Sequence, residues 1–241
     1  MVEFAQLLKV IYPDQCVTCE ALTDGAHGLC GPCWRKMGFL SGHRCTTCGV
    51  PLPGMGDGAD DYCDECLAGP RNWLRGVSVF EYGGGAREFI LKFKRGDRTE
   101  LARPAGTWLA TALRPHMTPK TVLVPVPAHP VRMISRRYNQ AALLAGAAGR
   151  ELSAATAMDA LIRIRATPRL EGFSRVEREA KLKGAIRPHP KRGRTLQGKD
   201  VIIIDDVMTT GATLAVAAEA AWAAGADRVS VAVLARVVKP T

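Results

Sequence analysis

The sequence predicts an α/β protein, a parallel sheet flanked by helices, preceded by a small cysteine-rich head. Three observations carry this. Apolar runs without polar alternation, such as KDVIIID at 199–205, alternate along the chain with helical patterns. Such strands belong in a sheet covered on both faces. All eight cysteines fall within the first 70 of 241 residues. Charge divides at the same place: residues 1–70 hold 4 Lys/Arg and 9 Asp/Glu, and residues 71–241 hold 29 and 14. The shift coincides with the turn pair Gly69-Pro70, which predicts two domains, 1–70 and 71–241.

The head is justified by spacing. Its cysteines form four C-x-x-C pairs, Cys16/Cys19, Cys30/Cys33, Cys45/Cys48 and Cys63/Cys66, with none left over. Two sulfurs of one tight turn reach a single metal ion, and two such turns complete a tetrahedron. Four pairs therefore predict two structural zinc sites of four thiolates each. Sets of four cysteines also hold iron–sulfur clusters, which is the alternative metal. Sequential pairing closes the shortest loops and loses the least entropy; a cross-braced arrangement is the other solution. His27 and His43 lie close enough in sequence to replace a sulfur, although such histidines are more often polar loop residues. A head with few large apolar side chains needs its metal to fold.

The body follows in order. Phe89, Ile90 and Phe93 mark one helical face in 86–93, and Leu101, Ala105, Trp108 and Leu109 mark the next. TVLVPVP at 121–127 reads as a buried strand ending in a turn, followed by a helix from about 137 to 152. ALIRI at 160–164 reads as a short strand. Residues 165–199 are polar, contain Pro168, Pro188 and Pro190, and read as a long mobile loop. The strand at 199–205, a helix over 211–226 and the strand RVSVAVLAR at 228–236 complete the pattern.

Composition narrows the function. Hydrophobic residues make up 47%, enough for a packed core, and no apolar run reaches the roughly eighteen residues of a membrane span. MVEFAQLLKVIYPDQC lacks the basic start and long apolar centre of a secretory leader, so a reducing, cytoplasmic setting is expected. The basic body suggests an anionic partner.

The densest chemistry is VIIIDDVMTTGAT, residues 201–213. A buried strand delivers Asp205 and Asp206 at its carboxyl end, where open α/β sheets bind ligands. Val207, Met208, Thr209, Thr210, Gly211 and Thr213 follow, leading into a helix. Backbone N–H groups at such a junction cradle phosphate, and adjacent acids suit sugar hydroxyls. A P-loop reading fails. GRTLQGKD at 193–200 spells G-x-x-x-x-G-K, but Asp200 stands where Ser/Thr is required and the segment precedes a strand.

Residues 201–213 resemble the phosphoribosyl-pyrophosphate (PRPP) signature of type I phosphoribosyltransferases. The whole chain resembles the ComF family, a double zinc ribbon joined to a phosphoribosyltransferase-like domain and associated with competence for DNA uptake. The likeness covers the cysteine head, FEYGGGAREFILKFKRGDRTELA, VPVP…RRYNQA, RLEGFSRVERE…LKGA and the signature. It implies that Asp205 and Asp206 hold the ribose hydroxyls and that Val207 to Gly211, with Thr213, hold the 5-phosphate. The turn from Ala128 through His129 to Arg132 would face pyrophosphate, with Arg136, Arg137, Asn139, Gln140 and Lys92 along the cleft and residues 165–185 as a closing hood. The chain departs from the family at Arg137, Tyr138, Leu170 and Lys181, which touches the acceptor side more than the PRPP side.

Such a transfer breaks the C1–O bond to pyrophosphate, so magnesium and cationic side chains must meet the growing negative charge. No general base stands out; His129 and His189 each precede a proline. Two functions fit the inventory. One is a magnesium-dependent phosphoribosyltransferase acting on an acceptor the sequence does not specify. The other is a non-catalytic module that handles single-stranded DNA and docks a helicase or recombination-mediator protein. Residues 163–199, with 12 Lys/Arg against 3 Asp/Glu, would serve either leaving-group or DNA phosphates.

Overall fold

Successive side chains on a strand point to opposite faces, and this chain buries both. The computed structural model describes residues 13–25, 28–56, 60–94, 98–128, 138–165, 173 and 175–238. In strand β6 (Asp200–Met208), Val201 and Ile203 pack on one face while Ile202 and Ile204 pack on the other. Its neighbours repeat the split: Val122 and Val124 against Leu123 in β2 (Thr121–Pro125), and Val231 and Val233 against Ala232 and Leu234 in β7 (Arg228–Arg236).

With β1 (Gly76–Glu81) and β3 (Ala155–Thr156) these strands form one sheet in the order β1-β7-β6-β2-β3. Every pairing in it is parallel. The alanine-rich helix Ala212–Ala223 covers the first face. Helices Gly84–Lys94, Ala102–Leu113 and Gln140–Leu152 cover the second, with Phe89, Ile90, Leu109 and Leu144 buried among them. The predicted sheet, buried on two sides, is thus observed. No helix among the described residues is long and apolar enough to cross a membrane.

Three expectations change. Residues 165–199 are not one long loop. Helix Arg175–Leu182, strand β5 (Ile186–Pro188) and a 3-10 turn at Gly193–Leu196 occupy it. Leu182, Ile186 and Leu196 are buried in the first-face core, so a few apolar anchors suffice to order a segment that reads as polar. The short strand at 160–164 does not join the main sheet: β4 (Leu161–Arg163) pairs antiparallel with β5. Strand β1, not anticipated, is the sheet edge. Its GVSVFE places a fully covered Ser78 in the apolar run, which masks the pattern.

The cysteine head covers that edge. Backbone bonds run from Leu40 N to Val79 O at 2.8 Å and from Glu81 N to Gly38 O at 2.9 Å. Exposed strand edges invite unwanted pairing, and this cover removes the exposure. The second cysteine pair group approaches more closely. Gly76 N donates to Thr46 O at 2.9 Å, and a Cβ on Gly76 would lie 2.3 Å from Thr47 O. Only glycine permits that approach. Met37 enters the second-face core while Cys45, Cys48 and Cys66 enter the first, so the head grips both sides of the sheet.

Candidate functional site

Strand β2 leads to helix Gln140–Leu152 on the second face, and its neighbour β6 leads to helix Ala212–Ala223 on the first. Connections that part in this way leave a crevice beyond the carboxyl ends of the two strands, the usual ligand position in an open α/β sheet. Asp205 and Asp206 end the buried part of β6 at this crevice.

Strand alternation sends the two acids apart. Asp206 meets Lys94 Nζ at 2.9 Å, and the Asp206 N–H donates to Asp205 Oδ1 at 2.9 Å. Burial, then the neighbouring Asp206 carboxylate, push Asp205 up to about 7; the Asp206 N–H, Lys94 and Arg163 only partly offset them. Asp205, Val207, Thr209, Gly211, Thr213 and Arg178 are among the residues lining an open pocket, which also includes Met208 and Thr210. The whole predicted loop therefore borders one cavity with the first acid.

The hood expectation falls partly on described residues. Arg178, on helix Arg175–Leu182, donates Nε to Phe173 O at 2.8 Å and Nη1 to Thr209 Oγ1 at 3.1 Å. Lys181 sits over the Phe173 ring at 4.4 Å. Leu170 lies outside the described residues.

Beneath the loop lie groups that sequence reasoning missed. Arg71 Nη1 donates to Thr210 O at 2.6 Å. Arg236 Nη1 donates to the carbonyls of Thr209 and Val237 and, at 3.4 Å, to Met208 O. Glu65 Oε2 is 3.7 Å from Arg71 and 3.5 Å from Arg236. The Trp73 ring packs against Gly211, whose φ of +84° favours glycine and where an added Cβ would lie 3.0 Å from that ring. Lys94 stands one residue beyond the predicted helical stretch 86–93, at the end of the observed helix and two residues from the lysine expected at the cleft. Nothing local in the sequence marks Glu65, Arg71 or Arg236.

The remaining cleft residues divide. Ala128, three residues beyond β2, is half-buried. Asn139 caps helix Gln140–Leu152 by accepting from Ala141 N at 3.1 Å and donates Nδ2 to Val126 O at 2.9 Å, so it shapes the crevice wall. Gln140 is buried at the first turn. Lys92 instead turns to the head, donating to Thr18 O at 2.8 Å; helical spacing points it away from the side that Lys94 occupies. His129, Arg132, Arg136 and Arg137 lie outside the described residues. His189 Nδ1 accepts from the N–H groups of Lys191 and Arg192, both at 3.1 Å, as a turn residue.

The eight cysteines fall into two sets in sequential order: Cys16, Cys19, Cys30, Cys33 and Cys45, Cys48, Cys63, Cys66. Within each, all sulfurs lie within 4.8 Å of one another, and Cys19–Cys30 and Cys48–Cys63 are 3.6 Å apart. A tetrahedral zinc with Zn–S of 2.3 Å needs sulfurs about 3.8 Å apart, so the geometry fits. The thiols also conflict without a cation. Burial and the surrounding sulfurs push Cys33 up to about 12. Cys16, though burial raises it, is held down to about 6 by the backbone N–H groups of Cys30, Cys19 and Thr18. A dication at the centre removes that conflict. His43 is not a ligand: its Nε2 is 2.6 Å from Asp61 Oδ2, and its Nδ1 is 3.1 Å from Pro53 O. His27 lies outside the described residues.

Comparison with known proteins gives two family matches. Residues 7–67 match the double zinc ribbon domain, and residues 140–240 match the phosphoribosyl transferase domain. The chain is 31% identical over 231 residues to DNA utilization protein YhgH of Escherichia coli (strain K12), covering 91% of this chain and 95% of that protein. It is 29% identical over 207 residues to competence protein F of Haemophilus influenzae, covering 83% and 87%. It is 29% identical over 203 residues to competence protein ComFC of Bacillus subtilis, covering 79% and 76%.

Proposed function

The chain belongs to the ComF family, and from that premise we propose that it binds PRPP with magnesium at the β2–β6 crevice, in the service of DNA utilization. The observation that carries this reading is the meeting of Asp205 with the threonine-lined pocket of residues 207–214 at one sheet end, with Asp206 beside it in β6. The two carboxylates accept from ribose hydroxyls. The loop N–H groups and the hydroxyls of Thr209, Thr210 and Thr213 take the 5-phosphate, helped by the positive end of helix Ala212–Ala223. Arg178 already touches Thr209 and brings a cation to the pocket rim. The pyrophosphate end is assigned to Ala128 and to residues 129–137, which lie outside the described residues. Magnesium would add positive charge where the diphosphate sits. Domains divided near residue 70 complete the proposal, with the head as a structural zinc unit.

Calorimetry of the full chain with PRPP and magnesium tests it. We expect saturable binding in wild type and none in Asp205→Asn/Asp206→Asn. Absence of heat in wild type would remove the PRPP reading.

A second reading, single-stranded DNA binding, is favoured by the relatives' names and by the exposed cations Lys183, Arg187, Lys191, Arg194 and Lys199. Oligonucleotide affinity should then fall with salt, with a log–log slope of about −0.7 per phosphate neutralised. Replacing Lys183, Arg187 and Lys191 with alanine should flatten that slope. A salt-independent signal, or no binding, would exclude this reading.

A further inference from the structure

We propose that Arg71 and Arg236 are positioning residues for the phosphate loop, and that Glu65 couples their setting to metal binding at the second cysteine site. The inference rests on the sugar-phosphate reading above and names what controls that site. In a planar trans peptide the C=O and the next N–H point in opposite directions. The carbonyls of Thr209 and Thr210 are held by the two guanidiniums, whereas that of Met208 is held first by the Val237 N–H at 2.9 Å. The N–H groups that share the first two peptides, on Thr210 and Gly211, therefore point the other way, toward the pocket these residues line. The arginines orient the cradle without touching its ligand.

Charge supports the same conclusion. The Arg71 and Arg236 side chains are 0% and 4% exposed. Among the described residues, the carboxylate that both guanidiniums face is Glu65. Arg71 Nε and Nη2 and Arg236 Nε have no hydrogen-bond partner among the described residues. A buried charge in excess of its counter-ions is costly. Glu65 and the carbonyls that the guanidiniums hold supply part of that compensation, which fixes both arginines in place against the loop.

The support is built on the second metal site. Glu65 stands between Cys63 and Cys66, in the short helix Asp64–Ala68. Thr47 stands between Cys45 and Cys48, and its carbonyl accepts from Trp73 Nε1 at 2.6 Å. Trp73 in turn carries the Arg71 guanidinium 5.5 Å from its ring centre and packs against Gly211. Both turns of this site thus reach the loop support. The first site reaches the body elsewhere, through Thr18 and Lys92. Metal bound at the second site fixes Glu65 and Thr47, and so fixes the guanidiniums. Coupling between sites is reciprocal: if metal organises the phosphate loop, a ligand in the loop must be felt at the metal.

The test uses the full chain loaded with cadmium-113 at both sites and titrated with ribose 5-phosphate. Cys19→Ser, which removes the first site, assigns the two cadmium resonances. We expect the line of the Cys45/Cys48/Cys63/Cys66 site to shift with saturation. Arg71→Met should weaken ribose 5-phosphate about tenfold or more, as expected for losing a charge-assisted hydrogen bond, with both metals retained. Arg71→Lys, which keeps the charge but not the fork, should recover part of that loss. Glu65→Gln should weaken the sugar phosphate several-fold and abolish the cadmium shift. Binding by calorimetry with an unmoved second-site line overturns the inference, even if an arginine variant fails to fold. Wild-type affinity in Arg71→Met also overturns it. No binding in wild type overturns the sugar-phosphate reading itself, and this inference with it.

Discussion

Replacing Cys48 with serine is expected to halve the zinc content and to unfold much more than the head. Cys48 is fully buried, and with Cys45 and Cys66 it belongs to the same core as Trp73, Val231 and Met208. Structural zinc contributes on the order of 10 kcal/mol or more in small domains, comparable to the whole stability of an ordinary domain. Loss of this site removes the support of Gly76 and of Trp73 together. Cys19 is exposed and belongs to the other site. Cys19→Ser should cost a similar amount of zinc but leave the sheet cooperative. Metal analysis and urea unfolding followed by far-ultraviolet circular dichroism would measure both. Equal losses of stability in the two variants would contradict the unequal roles read from burial.

The second large effect concerns Asp205 and runs against function. Its carboxyl lies at about 7 in the folded protein, against an ordinary 3.8, chiefly through burial and then through Asp206. The folded state therefore holds a proton that the unfolded chain has released. That contribution to stability is complete below about pH 4 and is lost as pH rises through 7. Asp205→Asn has no such loss. It should match wild type near pH 4 and become more stable by about 1–3 kcal/mol at pH 8, after discounting for partial exposure. Thermal unfolding at the two pH values would show it. The same variant should fail to bind the sugar phosphate, because stability is given up where a ligand is to be held. A variant that loses stability at pH 8 would refute the strained state of Asp205.

Asp206 is the useful contrast. It is paired with Lys94 at 2.9 Å, so the two adjacent acids sit in different surroundings although they look alike in sequence. Period-two alternation explains this. Asp205 continues the face of Val201 and Ile203, and Asp206 continues the face of Ile202 and Ile204, where helix Gly84–Lys94 ends.

Much of the architecture was legible because its signals are local. Four C-x-x-C turns declare their metal sites at a spacing of three residues. The apolar run of β6 and the alanine-rich helix after it declare a buried parallel strand and its crossover. The loop of 207–213 is one short segment, so its residues border one pocket however the rest of the chain folds. Sequential pairing of the cysteines followed the cheaper loop closures. Where local signals were weak, the reading missed: Ser78 interrupts β1, and the few apolar residues among the charges of 165–199 hide a helix and a strand.

What the chain declared by itself is therefore a metal-tethered head, a two-sided parallel sheet and a phosphate-loop motif at the end of one strand. What only the tertiary structure decided is the floor of that loop. Arg71 is 139 residues from the Thr210 carbonyl it holds, and Glu65 is 171 residues from Arg236. Sheet order brings β7 beside β6, and the docked head delivers Glu65, with Arg71 and Trp73 of the segment that follows it, against the loop. No periodicity encodes such a meeting, because contacts at that separation arise from the packing of whole elements and not from the spacing of neighbours.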